Sequence, residues 1–221
     1  MSSLAKEEQQ RVLSKRVYDD RKLALASLLL QKHYISFSTG RQWDSIHIRR
    51  TTAGKPYFEG LHYNVSHADG IVVLVGSNHA IGVDVVARDY SSLKFMVSDM
   101  DQLFSSNEMV AMSSSDHFPD LFLLGWAFKE AYMKCCGFPN WDNLASMEFL
   151  NIKIPSTSQP YFTNAVSKIF DAGVRQSGYT ETHIIDETHL IAIYASHAPS
   201  PEKSTTQFEP ISLEEIVKSL R

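Results

Sequence analysis

Ile71-Val72-Val73-Leu74-Val75-Gly76-Ser77-Asn78-His79-Ala80-Ile81-Gly82-Val83-Asp84-Val85-Val86 is the stretch on which the fold turns. Two β-rich runs, residues 71–75 and 81–86, flank a small polar connection at 76–80, and the pattern predicts a hairpin. In the second run a period of two sets Ile81, Val83 and Val85 on one face, toward a core. Gly82, Asp84 and Val86 take the other face. A carboxylate in an otherwise apolar strand costs free energy unless it is solvated, paired or bound to a metal. The strand alone leaves a solvated edge residue and a functional carboxylate both open.

Upstream, residues 7–34 read as helix: strong helix formers, no Pro or Gly, and a nearly all-apolar stretch at 23–30. Residues 43–50 alternate around Ile46 and Ile48 as a strand would, and Gly54-Lys55-Pro56 is a turn signal. Downstream, 89–115 reads as two helical pieces, with Ser105 and Glu108 at capping-box spacing before the second. Pro119 precedes a helix over 121–136, closed by Gly137. Residues 146–154 alternate as a strand, and 179–186 with 189–195 form a second hairpin pattern. A Pro/Ser-rich linker at 198–206 leads to a last helix, with Ser212 and Glu215 as its capping box and Leu213, Ile216, Val217 and Leu220 as its apolar stripe. Helix, then strands ending in a hairpin, occurs twice. The expectation is an α+β chain of two pseudo-symmetric halves, each a small, mainly antiparallel sheet packed with helices. The N-terminal half is 1–88, the C-terminal half 89–197, and 198–221 is linker and C-terminal helix.

The chain has 221 residues, 43% hydrophobic and 21% charged, which excludes long disorder. No apolar run approaches the ~18 residues of a membrane span, and the polar start at 1–10 predicts no signal peptide. A net charge of −4 gives no global footprint for nucleic acid, so any anion site must be local. Cys135 and Cys136 are adjacent and read as reduced thiols of a cytoplasmic protein.

In Trp126-Ala127-Phe128-Lys129-Glu130-Ala131-Tyr132-Met133-Lys134, helical spacing puts Glu130 and Lys134 on one face with Trp126. A surface ion pair and a catalytic pair both fit that spacing. Ser66 and His67 precede the Ala68-Asp69-Gly70 turn. Neighbouring side chains on a strand diverge, so a hydrolase triad within this segment is improbable, and donors to an anion fit better. Arg49, Arg50 and Lys55 flank the turn at Thr51-Thr52-Ala53-Gly54. A solvated basic turn would read the same way, but a Gly-containing turn also lets backbone amides and cations approach a phosphate.

Together the pieces are specific. Gly82-Val83-Asp84, 41 intervening residues, and then the segment from Trp126 to Lys134 resemble the two-part signature of the 4′-phosphopantetheinyl transferases. Asn64-Val65-Ser66-His67 and Gly54-Lys55-Pro56 are similar to two further segments of that family, in the family's order. The segments Arg50-Thr51-Thr52-Ala53-Gly54-Lys55-Pro56 and Glu7-Glu8-Gln9-Gln10-Arg11 resemble the Sfp-type, eukaryotic aminoadipate-semialdehyde-dehydrogenase branch. The resemblance implies a monomer with coenzyme A between its halves. It also implies Mg²⁺-dependent transfer of the phosphopantetheine arm to a serine of an acyl or peptidyl carrier protein. By resemblance Asp84 and Glu130 are the metal ligands, and Asp84, Glu130 and Lys134 carry catalysis. Arg11, Arg50, Gly54, Lys55, Asn64, Ser66, His67 and Lys134 are the coenzyme A contacts, with Lys22 a weaker candidate. The competing classes are a homologue that binds coenzyme A or a carrier without transfer, and a metal-dependent phosphoesterase. Two departures stand out. Val86 replaces the Glu that many bacterial members carry as a third metal ligand, and the chain starts almost at its first helix, without the strand that usually precedes it.

Overall fold

The computed structural model describes residues 4–91, 100–138, 144–164, 168–197 and 208–218. The expected helix over 7–34 is two helices, α1 (Lys6–Leu13) and α2 (Tyr18–Thr39). The chain leaves the helix after Leu13 and re-enters through Val17 in an extended conformation. Helix propensity favours one long rod, but tertiary packing folds α1 back on α2. Lys32, 3% exposed, binds Glu8 at 3.1 Å across the two helices. Asp19 and Asp20 in the new first turn complement the dipole of α2.

The strand expected over 43–50 is also reduced. Trp43–Ser45 is a single 3₁₀ turn, and β1 (Arg49–Arg50) pairs only with β2 (Pro56–Tyr57). Ile46 is fully buried and packs with Ile35 of α2 and Tyr63 rather than in a ladder. The Gly54 turn stands as read, with φ +82°.

The hairpin expected over 71–86 does not form, although both of its strands do. β3 (His62–Ala68) and β4 (Ile71–Ser77) are the hairpin pair. They are joined by Asp69 and Gly70 with φ +40° and +88°. Two central residues with positive φ match the twist of antiparallel strands, which is why Asp-Gly serves there. Strand β5 (Ile81–Ala87) pairs elsewhere.

In the second half α3 (Met100–Leu103) and α4 (Ser106–Ser113) follow, the latter with the expected reciprocal Ser105–Glu108 capping box. Helix α5 (Phe118–Cys136) starts three residues earlier than expected, with Pro119 in its first turn, and closes at Gly137, φ +79°. The strand expected over 146–154 is only β6 (Met147–Leu150). Then come β7 (Tyr161–Asn164), β8 (Lys168–Asp171), β9 (Val174–Arg175), β10 (Tyr179–Asp186) and β11 (His189–Ala195). The hairpin β10–β11 is as read, and every ladder in the described residues is antiparallel. Helix α6 (Leu213–Lys218) carries the Ser212–Glu215 capping box, with Ser212 Oγ accepting from the Glu215 amide at 3.2 Å. Its apolar stripe is narrower than expected: Ile216 is buried against Leu4, Leu29 and Trp43, while Leu213 and Val217 are exposed. Leu220 and the linker at 198–206 lie outside the described residues.

β5 lies at one edge of a four-stranded sheet in the order β5–β11–β10–β7, with Asp84 opposite Ala192. A strand read with the first half is thus bonded to the second. Both of its faces are covered. Ile81, Val83 and Val85 pack with Val73 and Val75 of β4 and with Ile191 and Ile193. The other face receives α5, whose Ala127, Phe128 and Ala131 pack with Ala192 and Tyr194. Gly82 permits this contact: a Cβ there would stand 1.9 Å from the Ala131 carbonyl oxygen. Among the described residues no helix is long and apolar enough to cross a membrane.

Candidate active site

Because α5 presses on β5 at Gly82, the residue two further along the same face meets the helix. Asp84 is 7% exposed, which settles the choice against a solvated edge residue. Its Oδ1 accepts from Ser66 Oγ at 2.7 Å and from Lys134 Nζ at 2.5 Å. Lys134 Nζ also donates to Ser66 Oγ at 3.0 Å. β3, β5 and α5 each contribute one member of this cluster. Oδ2 of Asp84 has no hydrogen-bonding partner among the described residues.

Glu130, one turn before Lys134, forms no ion pair with it; the lysine turns to Asp84 instead. Burial raises the Glu130 carboxyl above the usual range, and the Asp84 carboxylate raises it further, while Lys134 acts in the opposite sense. Two carboxylates that repel each other across a helix–strand contact, one with an uncommitted oxygen, suit a divalent cation. Two protein carboxylates with waters and substrate phosphates make an ordinary Mg²⁺ shell, so the residues fit the metal implied by the resemblance.

Three supports hold the cluster. Asn64, on the β5-facing side of β3, accepts the Val83 amide at 2.9 Å through Oδ1, linking β3 to β5 beside Asp84. Lys55 donates from Nζ to the Lys134 carbonyl and, at 3.2 Å, to the Cys135 carbonyl, so the β1–β2 turn caps the C-terminus of α5. Lys129 is fully buried and binds Glu108 Oε2 at 2.9 Å and the Leu144 carbonyl at 2.9 Å, as well as the Met147 carbonyl. Glu108 in turn accepts the Phe149 amide at 2.9 Å. Burial pushes the Glu108 carboxyl up and the Lys129 ammonium down, and their attraction opposes both shifts. This strut sets the rotation of α5 one residue before Glu130.

Ser66 and His67 diverge. Ser66 faces Asp84, whereas His67 lines a cleft of about 450 Å³ on the α2 side of β3. Arg11, Lys15, Arg50 and Gly54 line the same cleft, with Glu7 and Glu8 on its α1 wall. Arg50 Nη1 donates to the Gly54 carbonyl at 2.7 Å, which braces the turn. Lys22 does not line the cleft and pairs with Asp19 at 2.6 Å on the surface. The structure therefore gathers Arg11, Arg50, Gly54 and His67 in one place, and Ser66, Asp84 and Lys134 in another. The turn carrying Gly54 and Lys55 runs from one to the other.

Sequence reasoning missed Lys15, Glu108 and Lys129. Lys15 falls in the helix break that propensity hid. For the strut the signal was present: Glu108 was visible as a capping residue, and Lys129 follows directly on the apolar Phe128.

The family model for the 4′-phosphopantetheinyl transferase superfamily matches residues 80–193, and the model for the N-terminal region of 4′-phosphopantetheinyl transferases matches 1–79. The chain belongs to the 4′-phosphopantetheinyl transferase superfamily. It is similar to the L-aminoadipate-semialdehyde dehydrogenase-phosphopantetheinyl transferase of Schizosaccharomyces pombe, 34% identical over 138 residues, 53% of each chain. The Xenopus laevis protein of the same name is 28% identical over 202 residues, 85% of this chain and 66% of its own. The 4′-phosphopantetheinyl transferase gsp of Aneurinibacillus migulanus is 31% identical over 140 residues, 62% of this chain and 57% of its own. The chain spans from about half to two thirds of the length of these relatives.

Proposed function

We propose that the chain transfers the 4′-phosphopantetheine arm of coenzyme A to a serine hydroxyl of an apo carrier protein, releasing adenosine 3′,5′-bisphosphate. The observation that carries this reading is the cluster of Ser66, Asp84 and Lys134 beside Glu130, joined by one turn to a cleft lined by Arg11, Lys15 and Arg50 as well as Glu7 and Glu8. The halves at 1–88 and 89–197 contribute the cleft and the helix respectively. Arg11, Arg50 and His67 hold the adenosine 3′-phosphate through exposed, charge-assisted contacts. Gly54 brings backbone close to the nucleotide, and Lys55 and Asn64 keep Lys134 and Asp84 in place. Lys134 donates to pyrophosphate oxygens, where charge accumulates as the reaction proceeds, and Ser66 does so once its hydroxyl turns from Asp84.

Asp84 and Glu130 would hold Mg²⁺, which when bound would supply positive charge to the pyrophosphate. Glu130 takes the proton of the carrier serine, directly or through water. The serine oxygen then bonds to the phosphorus bearing pantetheine. The bond from that phosphorus to the bridging oxygen breaks, and the electron pair leaves with the nucleotide phosphate. The relatives named for L-aminoadipate-semialdehyde dehydrogenase favour a carrier domain of that dehydrogenase as acceptor.

Incubation with coenzyme A, Mg²⁺ and an apo carrier protein, read by intact mass, tests the proposal. The carrier should gain one phosphopantetheine arm. Consumption of coenzyme A without labelling would make the chain a phosphoesterase, and binding without either would make it a non-catalytic homologue.

A further inference from the structure

Strand β10 carries a buried polar pair that the proposed transfer does not use. His183 Nε2 lies 2.7 Å from Glu181 Oε2, and the two residues are 4% and 1% exposed. Residues two apart share a strand face, and in register His183 stands opposite Ile191 and Glu181 opposite Ile193. Ile191 and Ile193 pack with Val73 and Val75, so the pair faces β4. There His183 lines a cavity of about 720 Å³ between α2, β4, β10 and the segment that leads to α6. Its walls are mostly apolar, with Leu30, Ile71, Val73, Ile185, Phe208 and Ile211 among them. None of its lining residues belongs to the cleft that holds Arg11 and Arg50 or to the Asp84 cluster.

The chemistry of the pair decides what the cavity offers an occupant. A carboxylate only accepts hydrogen bonds, so Nε2 carries the hydrogen between the two residues and the neutral ring presents Nδ1 as an acceptor. Nδ1 makes no hydrogen bond among the described residues, and it is not sealed off from the cavity. An acceptor left unpaired in apolar surroundings favours an occupant that brings a donor. Among the described residues no Lys or Arg lines the cavity, and Glu209 lies exposed on its wall, so an anion meets no counter-charge there. Aromatic rings flank the imidazole: Tyr161 stacks on it with centroids 5.9 Å apart, and Phe208 stands nearly perpendicular at 5.1 Å.

We propose that this cavity binds a neutral, apolar molecule carrying one aromatic hydroxyl, of the alkylphenol kind. The hydroxyl donates to His183 Nδ1, the ring of the ligand lies among the aromatic groups, and its alkyl tail covers the aliphatic walls. Glu181 is a positioning residue, because it fixes the tautomer and the orientation of the imidazole. The walls come from both halves, so the occupant ties β4 to β10 and stabilises the folded chain.

The test titrates the full chain with 4-butylphenol by calorimetry, in mildly alkaline buffer. One molecule should bind per chain and raise the melting temperature. Affinity should grow about fourfold with each methylene added to the tail. 4-Butylanisole keeps the shape but has no donor, and it should bind about tenfold more weakly; 4-butylbenzoate should bind more weakly still. Replacing both members of the pair, Glu181→Leu with His183→Phe, leaves no unpaired charge and should erase the preference for the phenol over the anisole. Ile185→Trp, at an exposed position on the wall, should block both probes, and it carries the test if the double variant does not fold. No binding to the native chain, an anisole as tight as the phenol, or a benzoate tighter than either overturns the proposal. So does a phenol preference that survives the double substitution, or binding that survives Ile185→Trp.

Discussion

The cleft beside α2 and the cluster on β5 solve opposite problems with similar residues. Arg11, Lys15 and Arg50 are exposed, so their charges remain hydrated and cost the fold little, and His67 is exposed beside them. Asp84 and Lys129 are buried, and each is compensated by several bonds. The charge balance follows the same division. Residues 1–79 contain 11 Lys and Arg against 7 Asp and Glu, whereas 80–221 contain 10 against 18. Exposed cations attract an anionic substrate at long range without fixing it tightly. Groups held at a dry junction between elements act more strongly on developing charge, because the local dielectric is low and they need not reorganise. The difference teaches that affinity and chemistry are separable here. On the proposed function, the first half would supply most of the former, and the junction of both halves the latter.

That separation can be broken most severely at the junction. Asp84→Ala and Glu130→Ala should each lower transfer by roughly 10²–10³-fold, the scale of losing one preorganised group at the reacting centre. Circular dichroism and coenzyme A binding should be nearly unchanged. Loss of coenzyme A binding on the same scale would mean that the junction also supplies affinity. The next largest effect is on stability. Lys129→Met leaves the Glu108 charge buried without its partner and should cost about 3–5 kcal/mol in urea unfolding. Adding Glu108→Gln should restore much of it, because the unpaired charge is then gone. A smaller and more selective effect is expected in the cleft. Arg11→Ala and Arg50→Ala should raise the KM for coenzyme A by about tenfold, as for loss of a charge-assisted contact, with kcat little changed. With 3′-dephospho-coenzyme A the same substitutions should matter less. Lys22→Ala, outside the cleft, should change neither constant. An equal drop in kcat from the arginine variants would collapse the distinction between the two regions.

Much of this could be read from the chain. The residue types at 82–84 and 126–134 and their spacing carried the family. Local chemistry carried the Ser105 and Ser212 capping boxes, the Gly137 helix end and the β10–β11 hairpin. The misreadings share one cause, which is that apolar patterning reports burial and not the partner. Residues 71–86 form two strands as read, but β4 pairs backward across Asp69-Gly70 and β5 pairs with a strand over a hundred residues later. The helix over 7–34 breaks because packing α1 on α2 outweighs propensity at 14–17, where no Pro or Gly marks the site.

By itself the sequence determined which residues carry charge and nucleophilicity, which segments are helical or extended, and the family to which the chain belongs. Only the tertiary structure decided that Lys134 serves Asp84 rather than Glu130. It alone separated Ser66 from His67, turned Lys55 to the end of α5 and gave Lys129 a buried partner. The physical reason is distance along the chain. Spacing of three or four residues along a helix, or two along a strand, specifies a shared face. Contacts across dozens of residues depend on how closely two elements approach, and here that is decided by the missing side chain at Gly82.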